Sequence, residues 1–468
     1  MSQSAPLFYK AGSESETLHR RITPTADQYV EQKNRWNDLA EFLKERLSAA
    51  TGLSLRTWLQ GSYKFRTQVR PCALGVEFDI DLGVYYEWAG APGDGVHEPH
   101  ELKALVQVAL EEYLADDEND AIEVVHPKER CCRIRFEGDF HIDVPCYHLD
   151  SDADARALAT ETKGWEESDP KAIYEWFKKC QDDVPRKRLR RVVRYLKTWA
   201  GLQIKDEKER PSSILLTVLA ADAFDELEEN VTDDDDTLEQ VSTLIADRLD
   251  GEAVVENPAN TVEDLNRLDA KATIALIAKL RSLADIGKRA RQVGDIAAAA
   301  EIWSEAFDHF FPMPEDTEEG TQALAESALQ KSASALAVFS FVPDVAVTAV
   351  SKTNKHVAPI VGFNSIQAIP KECDITFTVV NPHSLPAGAT LKWTVRNHGP
   401  EAAAENDLGH VAGHGLEVTR GSKYNGDHSM DLSVFVGGKP IGRRRIFVKI
   451  RGQAIAPRRK KSGRQFIR

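Results

Sequence analysis

The stretch Glu77-Phe78-Asp79-Ile80-Asp81-Leu82 decides how the first half of the chain is read. Side chains of a strand point alternately to its two faces. Phe78, Ile80 and Leu82 therefore share one face, and Asp79 and Asp81 the other. Two carboxylates at successive same-face positions repel each other unless a cation stands between them. Hard oxygen donors at that spacing suit Mg²⁺ or Mn²⁺. Taken alone, the alternation also fits an amphipathic strand with a wet acidic side, so its neighbours carry the argument.

Two neighbours point the same way. Downstream, Phe140-His141-Ile142-Asp143-Val144 reads as a strand with a lone Asp among apolar residues, which brings a third carboxylate beside the pair. A third carboxylate has chemistry to perform there, since it helps hold a metal and accepts a proton from an attacking hydroxyl. Upstream, Leu59-Gln60-Gly61-Ser62-Tyr63-Lys64 ends a short strand. Glycine permits a tight turn there, from which backbone N–H groups and the Ser62 hydroxyl reach phosphate oxygens. The order Gly-Ser turn, Asp-x-Asp strand, lone-Asp strand is a signature of two-metal nucleotidyl transfer. The candidate catalytic and metal-holding residues are Asp79, Asp81 and Asp143.

A helix over Arg186 to Ala200 has Leu189, Val192, Val193 and Leu196 as its apolar stripe. Arg190, Arg194 and Lys197 fall to one side of that stripe, as a rim for a triphosphate or as a solvated basic face. Pro211-Ser212-Ser213 opens the next helix, where Ser212 and Ser213 serve as cap or as anion contact.

The chain has 468 residues and a net charge of −15. That length predicts two or three domains. Acidity overall with basic residues gathered locally suits a small polyanion better than a duplex. No apolar run reaches the roughly 20 residues that span a bilayer, and the start of the chain lacks a secretory h-region. The expected compartment is therefore the cytoplasm. Cys131, Cys132, His141, Cys146 and His148 invite a zinc reading, but they alternate with apolar residues, and packing explains them better.

Period-two patterns dominate the region up to residue 165, preceded by a helix from Ala26 to Ala49 and interrupted by one from Leu102 to Ala115. Helical periodicity takes over at Ser168-Asp169-Pro170, a cap followed by proline at the first turn. Helices are predicted over Arg186 to Ala200, Ser212 to Phe224, Leu238 to Leu249, Thr261 to Gln292 and Asp295 to Phe307, with Asp233 to Asp236 as a solvated acidic loop. A connector, helical or not, covers Gln322 to Leu336. Strands return at Val345 to Ser351, Cys373 to Val380, Ala389 to Val395, Met430 to Val436 and Arg444 to Ile450. The expected organisation is α+β: a catalytic lobe with its N-terminal helix (1–165), a helical lobe closing the cleft (166–318), a separate mostly-β domain (338–452) and a basic tail (453–468).

The motifs Gln60-Gly61-Ser62-Tyr63, Glu77-Phe78-Asp79-Ile80-Asp81, His141-Ile142-Asp143-Val144-Pro145, Ser168-Asp169-Pro170, Arg194 to Trp199 and Pro211-Ser212-Ser213 resemble the bacterial cyclic-oligonucleotide synthases related to cyclic GMP-AMP synthase, the enzymes of cyclic-nucleotide anti-phage systems. The resemblance covers about residues 25 to 315. Residues 338 to 452 resemble the sensor domain attached to such synthases, through Trp393-Thr394-Val395-Arg396-Asn397 and Tyr424-Asn425-Gly426-Asp427-His428. The resemblance implies a polymerase-β-like nucleotidyltransferase lobe facing a helical lobe. It implies two Mg²⁺ ions (or Mn²⁺) on Asp79 and Asp81, the catalytic one also on Asp143. Ser62 would hold the donor triphosphate, Gln60 and Tyr63 would flank the phosphates, and Lys197 with Ser212 or Ser213 would contact the donor nucleotide. The substrates implied are ATP and/or GTP or other nucleoside triphosphates, with a regulatory ligand or protein on the C-terminal domain. The animal enzyme's zinc insertion is missing, which implies no DNA requirement. From the residues alone, a transferase acting on an RNA or protein acceptor, and a non-catalytic nucleotide-binding module, stay open.

Overall fold

The computed structural model describes residues 2–12, 16–73, 75–116, 119–228, 230–314 and 342–456. They fall into two compact units, Met1–Phe307 with Phe311–Met313, and Asp308–Phe310 with Pro314–Arg468.

The first unit begins with two short helices, α1 (Ala5–Phe8) and α2 (Leu18–Ile22), followed by α3 (Ala26–Thr51). Thr25 and Gln28 close a capping box on α3, and Gly52 ends it at φ 71°. Then come β1 (Ser54–Gln60), α4 (Gly61–Phe65), β2 (Phe78–Glu87), α5 (Pro99–Leu114) and strands β3 (Ala121–Val125), β4 (Cys132–Phe136), β5 (Phe140–Val144), β6 (Cys146–Asp150), β7 (Ala155–Ala159) and β8 (Trp165–Glu167). All eight strands form one mixed sheet with β2 at its centre. The antiparallel β1 runs along part of β2. The parallel β5 and β6 pair with it in one continuous register, Asp81 opposite Asp143 and Val84 opposite Cys146. The strand read over Phe140 to Val144 is β5, and Pro145, which has no N–H for the ladder, separates it from β6; the Pro145 carbonyl accepts from Val84 N at 2.9 Å.

Alternation along β2 does what its pattern demands. Phe78, Ile80, Leu82, Val84 and Tyr86 are buried in a core with Leu39, Leu43 and Leu47 of α3 and Leu102, Val106 and Leu110 of α5. At roughly 25 cal/mol per Å² of apolar surface, this face is what holds the strand in register. Cys132 and Cys146 sit in the same core.

The helical half runs α6 (Pro170–Lys179), α7 (Asp183–Gln203), α8 (Ser213–Asp225), α9 (Asp234–Gly251), the hairpin β9 (Glu256–Asn257) and β10 (Asn260–Asp264), α10 (Ala270–Gln292) and α11 (Ile296–Phe307). Asp169 caps α6 by accepting from Lys171 N and Ala172 N. Two expectations fail here. Asp233 to Asp236 is not a solvated loop: Asp234 to Asp236 form the first turn of α9, and Asp234 and Asp235 are buried. Asp234 accepts from Arg191 and from Tyr195 Oη at 2.7 Å, and Asp235 accepts from Ser4 Oγ at 2.5 Å. Carboxylates at a helix N-terminus also meet its positive end. The helix predicted from Thr261 starts instead at Ala270, because Asn260 to Asp264 pairs back on Glu256-Asn257 around a Pro258 turn.

The second unit has a four-stranded sheet, β12 (Ile360–Phe363), β11 (Val345–Ser351), β14 (Cys373–Val379) and β17 (Glu417–Gly421), and a five-stranded one, β13 (Ser365–Ile369), β19 (Lys439–Ile450), β18 (Gly426–Val436), β15 (Ala389–Arg396) and β16 (Gly409–Gly413), with a short α12 (Pro400–Ala404). Val347, Phe377, Trp393, Leu432 and Ile446 share its core. The five predicted strands are present, while β12, β13, β16, β17 and α12 go beyond the sequence reading. The connector from Gln322 to Leu336 and the tail from residue 457 lie outside the described residues.

Candidate active site

The polar face of β2 gathers what the alternation placed there. Asp79 lies opposite His141 and Asp81 opposite Asp143 on β5, while Gln60 of β1 stands across from Asp81 on the other edge. The three aspartates are thus brought together on one side of the sheet. Asp81 is half-buried, and its pKa is pushed well above the usual carboxylate range, first by burial and then by the Asp79 and Asp143 charges; Lys197 and Arg133 offset only part of this. Asp143 goes the other way. Burial opposes its ionisation, but Arg133 grips it at 2.5 Å (Nε to Oδ1) and 2.7 Å (Nη2 to Oδ2) and holds its pKa low.

The Gly61-Ser62 step is the strand-to-helix turn from β1 into α4. Gly61 has φ 55°, and a Cβ there would stand 1.9 Å from Asp81 Oδ2. Only glycine lets the backbone lie against that carboxylate. Ser62 is half-buried, and its hydroxyl makes no hydrogen bond among the described residues. Behind the turn, α7 reaches in. Arg190 Nε donates to Phe65 O (3.0 Å), Arg194 Nε to Gln68 O (3.2 Å) and Lys197 Nζ to Thr67 O (2.9 Å). Gln68 Nε2 in turn donates to Asp79 O. The basic row is therefore not a solvated face: it pins the segment after Ser62. Burial and the Arg194 charge lower the Lys197 pKa to about 8, against the pull of Asp79 and Asp81.

The other named residues have different surroundings. Gln60 is buried and lies across Gly83, its amide donating to Tyr85 Oη (2.8 Å) and accepting from Tyr147 Oη (3.1 Å). The Tyr63 hydroxyl accepts from Trp36 Nε1 of α3. Ser212 caps α8 by accepting from Leu215 N; among the described residues neither Ser212 nor Ser213 is hydrogen-bonded to the carboxylate cluster. Sequence reading assigns no role here to Glu77, Arg133 or His141. His141 Nδ1 lies 2.8 Å from Glu77 Oε2 and its Nε2 3.0 Å from Asp79 Oδ1. All three share the phase of the alternation that exposed the aspartates.

A divalent cation fits this donor set. Asp79, His141 and Asp143 each offer a ligand atom, all within 4.8 Å of one another. His141 Nε2 is buried without a hydrogen-bond partner, and Asp81 sits among like charges that a cation would relieve.

A centrally placed Asp-x-Asp strand, a parallel partner strand with a third aspartate and a Gly-Ser turn against them define a nucleotidyltransferase. The comparisons agree. Residues 55–147 match the family described as cyclic GMP-AMP synthase DncV-like, nucleotidyltransferase domain, residues 186–312 the cyclic GMP-AMP synthase C-terminal domain, and residues 330–451 the adenylyl/guanylyl and SMODS C-terminal sensor domain. A cyclic GMP-AMP synthase of Escherichia albertii is 30% identical over 450 residues, covering 95% of this chain and 96% of that one. The cyclic GMP-AMP synthase of Vibrio cholerae is 28% identical over 309 residues, 55% of this chain and 68% of the relative. The GTP-bound crystal structure of Vibrio cholerae DncV superposes with a TM-score of 0.56 at 22% identity, over 66% of this chain and 96% of that one. The chain belongs to the DncV-like cyclic GMP-AMP synthase family, and it is a nucleotidyltransferase that makes cyclic nucleotides. Among the described residues no helix is long and apolar enough to cross a membrane.

Proposed function

We propose that this chain joins ATP and/or GTP, or other nucleoside triphosphates, into a cyclic dinucleotide through Asp79, Asp81 and Asp143, acting as a cytoplasmic second-messenger synthase in antiviral defence. The observation that carries the reading is the pairing of Asp81 with Asp143 across β2 and β5, with Asp79 on the same face. Vibrio cholerae DncV has been solved with the linear intermediate 5′-pppA(3′,5′)pG and with ATP and GTP, which makes those nucleotides the first to try.

In this reading Asp79 and Asp81 hold two Mg²⁺ ions, or Mn²⁺, and Asp143 shares the catalytic one. Bound there, the ions supply charge neutralisation on the reacting phosphate and acidify the attacking hydroxyl. The chain's own residues do the rest. The Ser62 hydroxyl and the free N–H groups at the start of α4 receive the donor phosphates. Arg194 and Lys197 keep the Thr67-Gln68 backbone in place beneath them, and Lys197 adds positive charge. Arg133 keeps Asp143 ionised, ready to take up a cation or a proton. Gln60 holds the floor of the site through Tyr85 and Tyr147, Tyr63 fixes α4 on α3, and Ser212 and Ser213 offer hydroxyls to the donor nucleotide. DNA is not required. The second unit receives a regulatory ligand or protein, and the lobes follow the boundaries 1–165, 166–318 and 338–452.

The test is mass spectrometry of the product made by the full chain from all four triphosphates with Mg²⁺. A nuclease-resistant cyclic dinucleotide is expected, with turnover falling about 10³-fold or more in D79A/D81A, which is about 4 kcal/mol of barrier. Undiminished product from that variant would sink the proposal.

A further inference from the structure

His141 is buried, with 6% of its surface exposed, and its ring stands between two carboxylates. On one side Glu77 Oε2 is 2.8 Å from Nδ1. Arg135 holds the same Glu77 through Nε at 2.5 Å. With Nδ1 turned to the Glu77 carboxylate, Nε2 is the ring nitrogen left to face Asp79. On the other side Nε2 lies 3.0 Å from Asp79 Oδ1, yet it makes no hydrogen bond to that oxygen or to any other group among the described residues. A buried ring nitrogen left without a hydrogen-bond partner beside a carboxylate is unfavourable.

A cation removes the conflict. Neighbouring ligands on an octahedral ion at about 2.1 Å stand about 3 Å apart, which is the Nε2 to Oδ1 separation found. Asp143 offers its oxygen within the same 4.8 Å cluster. A carboxylate behind a metal-binding imidazole is also the usual way of fixing its tautomer and raising its donor strength.

We propose that His141 Nε2 is a nitrogen ligand of the divalent cation held by Asp79 and Asp143, oriented through Nδ1 by Glu77, and that it biases the site towards Mn²⁺ over Mg²⁺. Mg²⁺ prefers an all-oxygen shell, whereas imidazole binds transition ions better. This inference rests on the reading of the aspartates as cation ligands.

The test is pulsed electron paramagnetic resonance of the full chain titrated with Mn²⁺ and no nucleotide. The expected spectrum shows ¹⁴N modulation from one directly bound imidazole, which changes to the ¹⁵N pattern when histidine alone is ¹⁵N-labelled. H141Q loses the nitrogen signal but still binds Mn²⁺, and its preference for Mn²⁺ over Mg²⁺ in competition drops. E77Q keeps the signal and binds Mn²⁺ on the order of 10- to 100-fold more weakly. Mn²⁺ bound to the wild-type chain without nitrogen coupling overturns the inference and leaves the carboxylate reading standing. Mn²⁺ binding that is absent, or unchanged by D79A/D81A, overturns both. Because the wild-type spectrum decides the matter, a poorly folding H141Q does not.

Discussion

Asp81 in the first unit, half-buried, and Asp431 in the second, fully buried, are both aspartates on a central strand, and their surroundings are opposite. Asp431 is fully buried on β18 and accepts from Arg396 Nε (2.6 Å), Arg443 Nη2 (2.7 Å) and Arg445 Nε (2.8 Å). Burial works against its charge, but Arg445 and Arg396 outweigh it and hold its pKa low. Asp81 has carboxylates for neighbours, and its pKa is pushed up. Where arginines surround a buried acid, the protein balances the charge itself and the group serves the fold. Where carboxylates surround it, the uncompensated charge marks a candidate site for a cation.

That contrast can be broken at four points. The largest effect is expected from a matched pair of substitutions. D81N lowers turnover about 10³-fold while raising the metal-free Tm of its unit by about 2–4 °C, because like-charge repulsion is removed. D431N does the reverse in kind: it costs the second unit about 3–5 kcal/mol by stranding buried guanidinium charge, read by urea unfolding. Equal Tm losses from both would erase the distinction.

Next comes G61A. The new methyl meets the Asp81 carboxylate in a backbone at φ 55°, so a loss of about 1–3 kcal/mol and a drop in turnover on the order of 100-fold are expected. Wild-type turnover in G61A would show that the turn does not need to touch Asp81.

A smaller effect is the pH dependence of cation stabilisation. Asp431, with its folded pKa lowered, adds stability above the unfolded value near pH 4 and loses it as pH falls through the folded value. Asp81, with its folded pKa raised, binds more protons folded than unfolded, so its unit loses stability as pH rises through that window. Mg²⁺ or Mn²⁺ should therefore raise Tm more at pH 8 than at pH 5. An equal shift at both would mean that the cation does not relieve Asp81.

The smallest concerns Lys197, whose pKa is lowered to about 8. Its charge is present below that pH and fades above it. The affinity of a non-hydrolysable triphosphate should weaken a few-fold between pH 7 and pH 9, and K197R should flatten the profile because guanidinium stays charged. Calorimetric titration at the two pH values decides it.

Much of the site is legible because strands have a rigid period. Alternation finds Asp79, Asp81 and Asp143, and the same phase contains Glu77, His141 and Arg133, whose part stays hidden because charged and polar residues on a strand normally face water. The predicted limits of the basic helix are short by three residues at each end: α7 covers Asp183 to Gln203, with Pro185 in its first turn, where a helix tolerates proline. The acidic start of α9 misleads for a related reason. Four consecutive aspartates look solvated until Arg191, Tyr195 and Ser4, far away in the chain, are seen to receive two of them.

The sequence by itself determined which residues share a face, where helices and strands alternate, and that Asp79 and Asp81 point to the same side of their strand. Those are local facts, set by backbone periods that need no partner. Only the tertiary structure decided that Asp143 meets Asp81 rather than its own side of another sheet, that α7 fastens the Thr67-Gln68 backbone, and that His141 turns an unshared nitrogen towards Asp79. Register and long-range hydrogen bonds depend on which distant segments pack together, and burial energy settles that for the whole molecule at once.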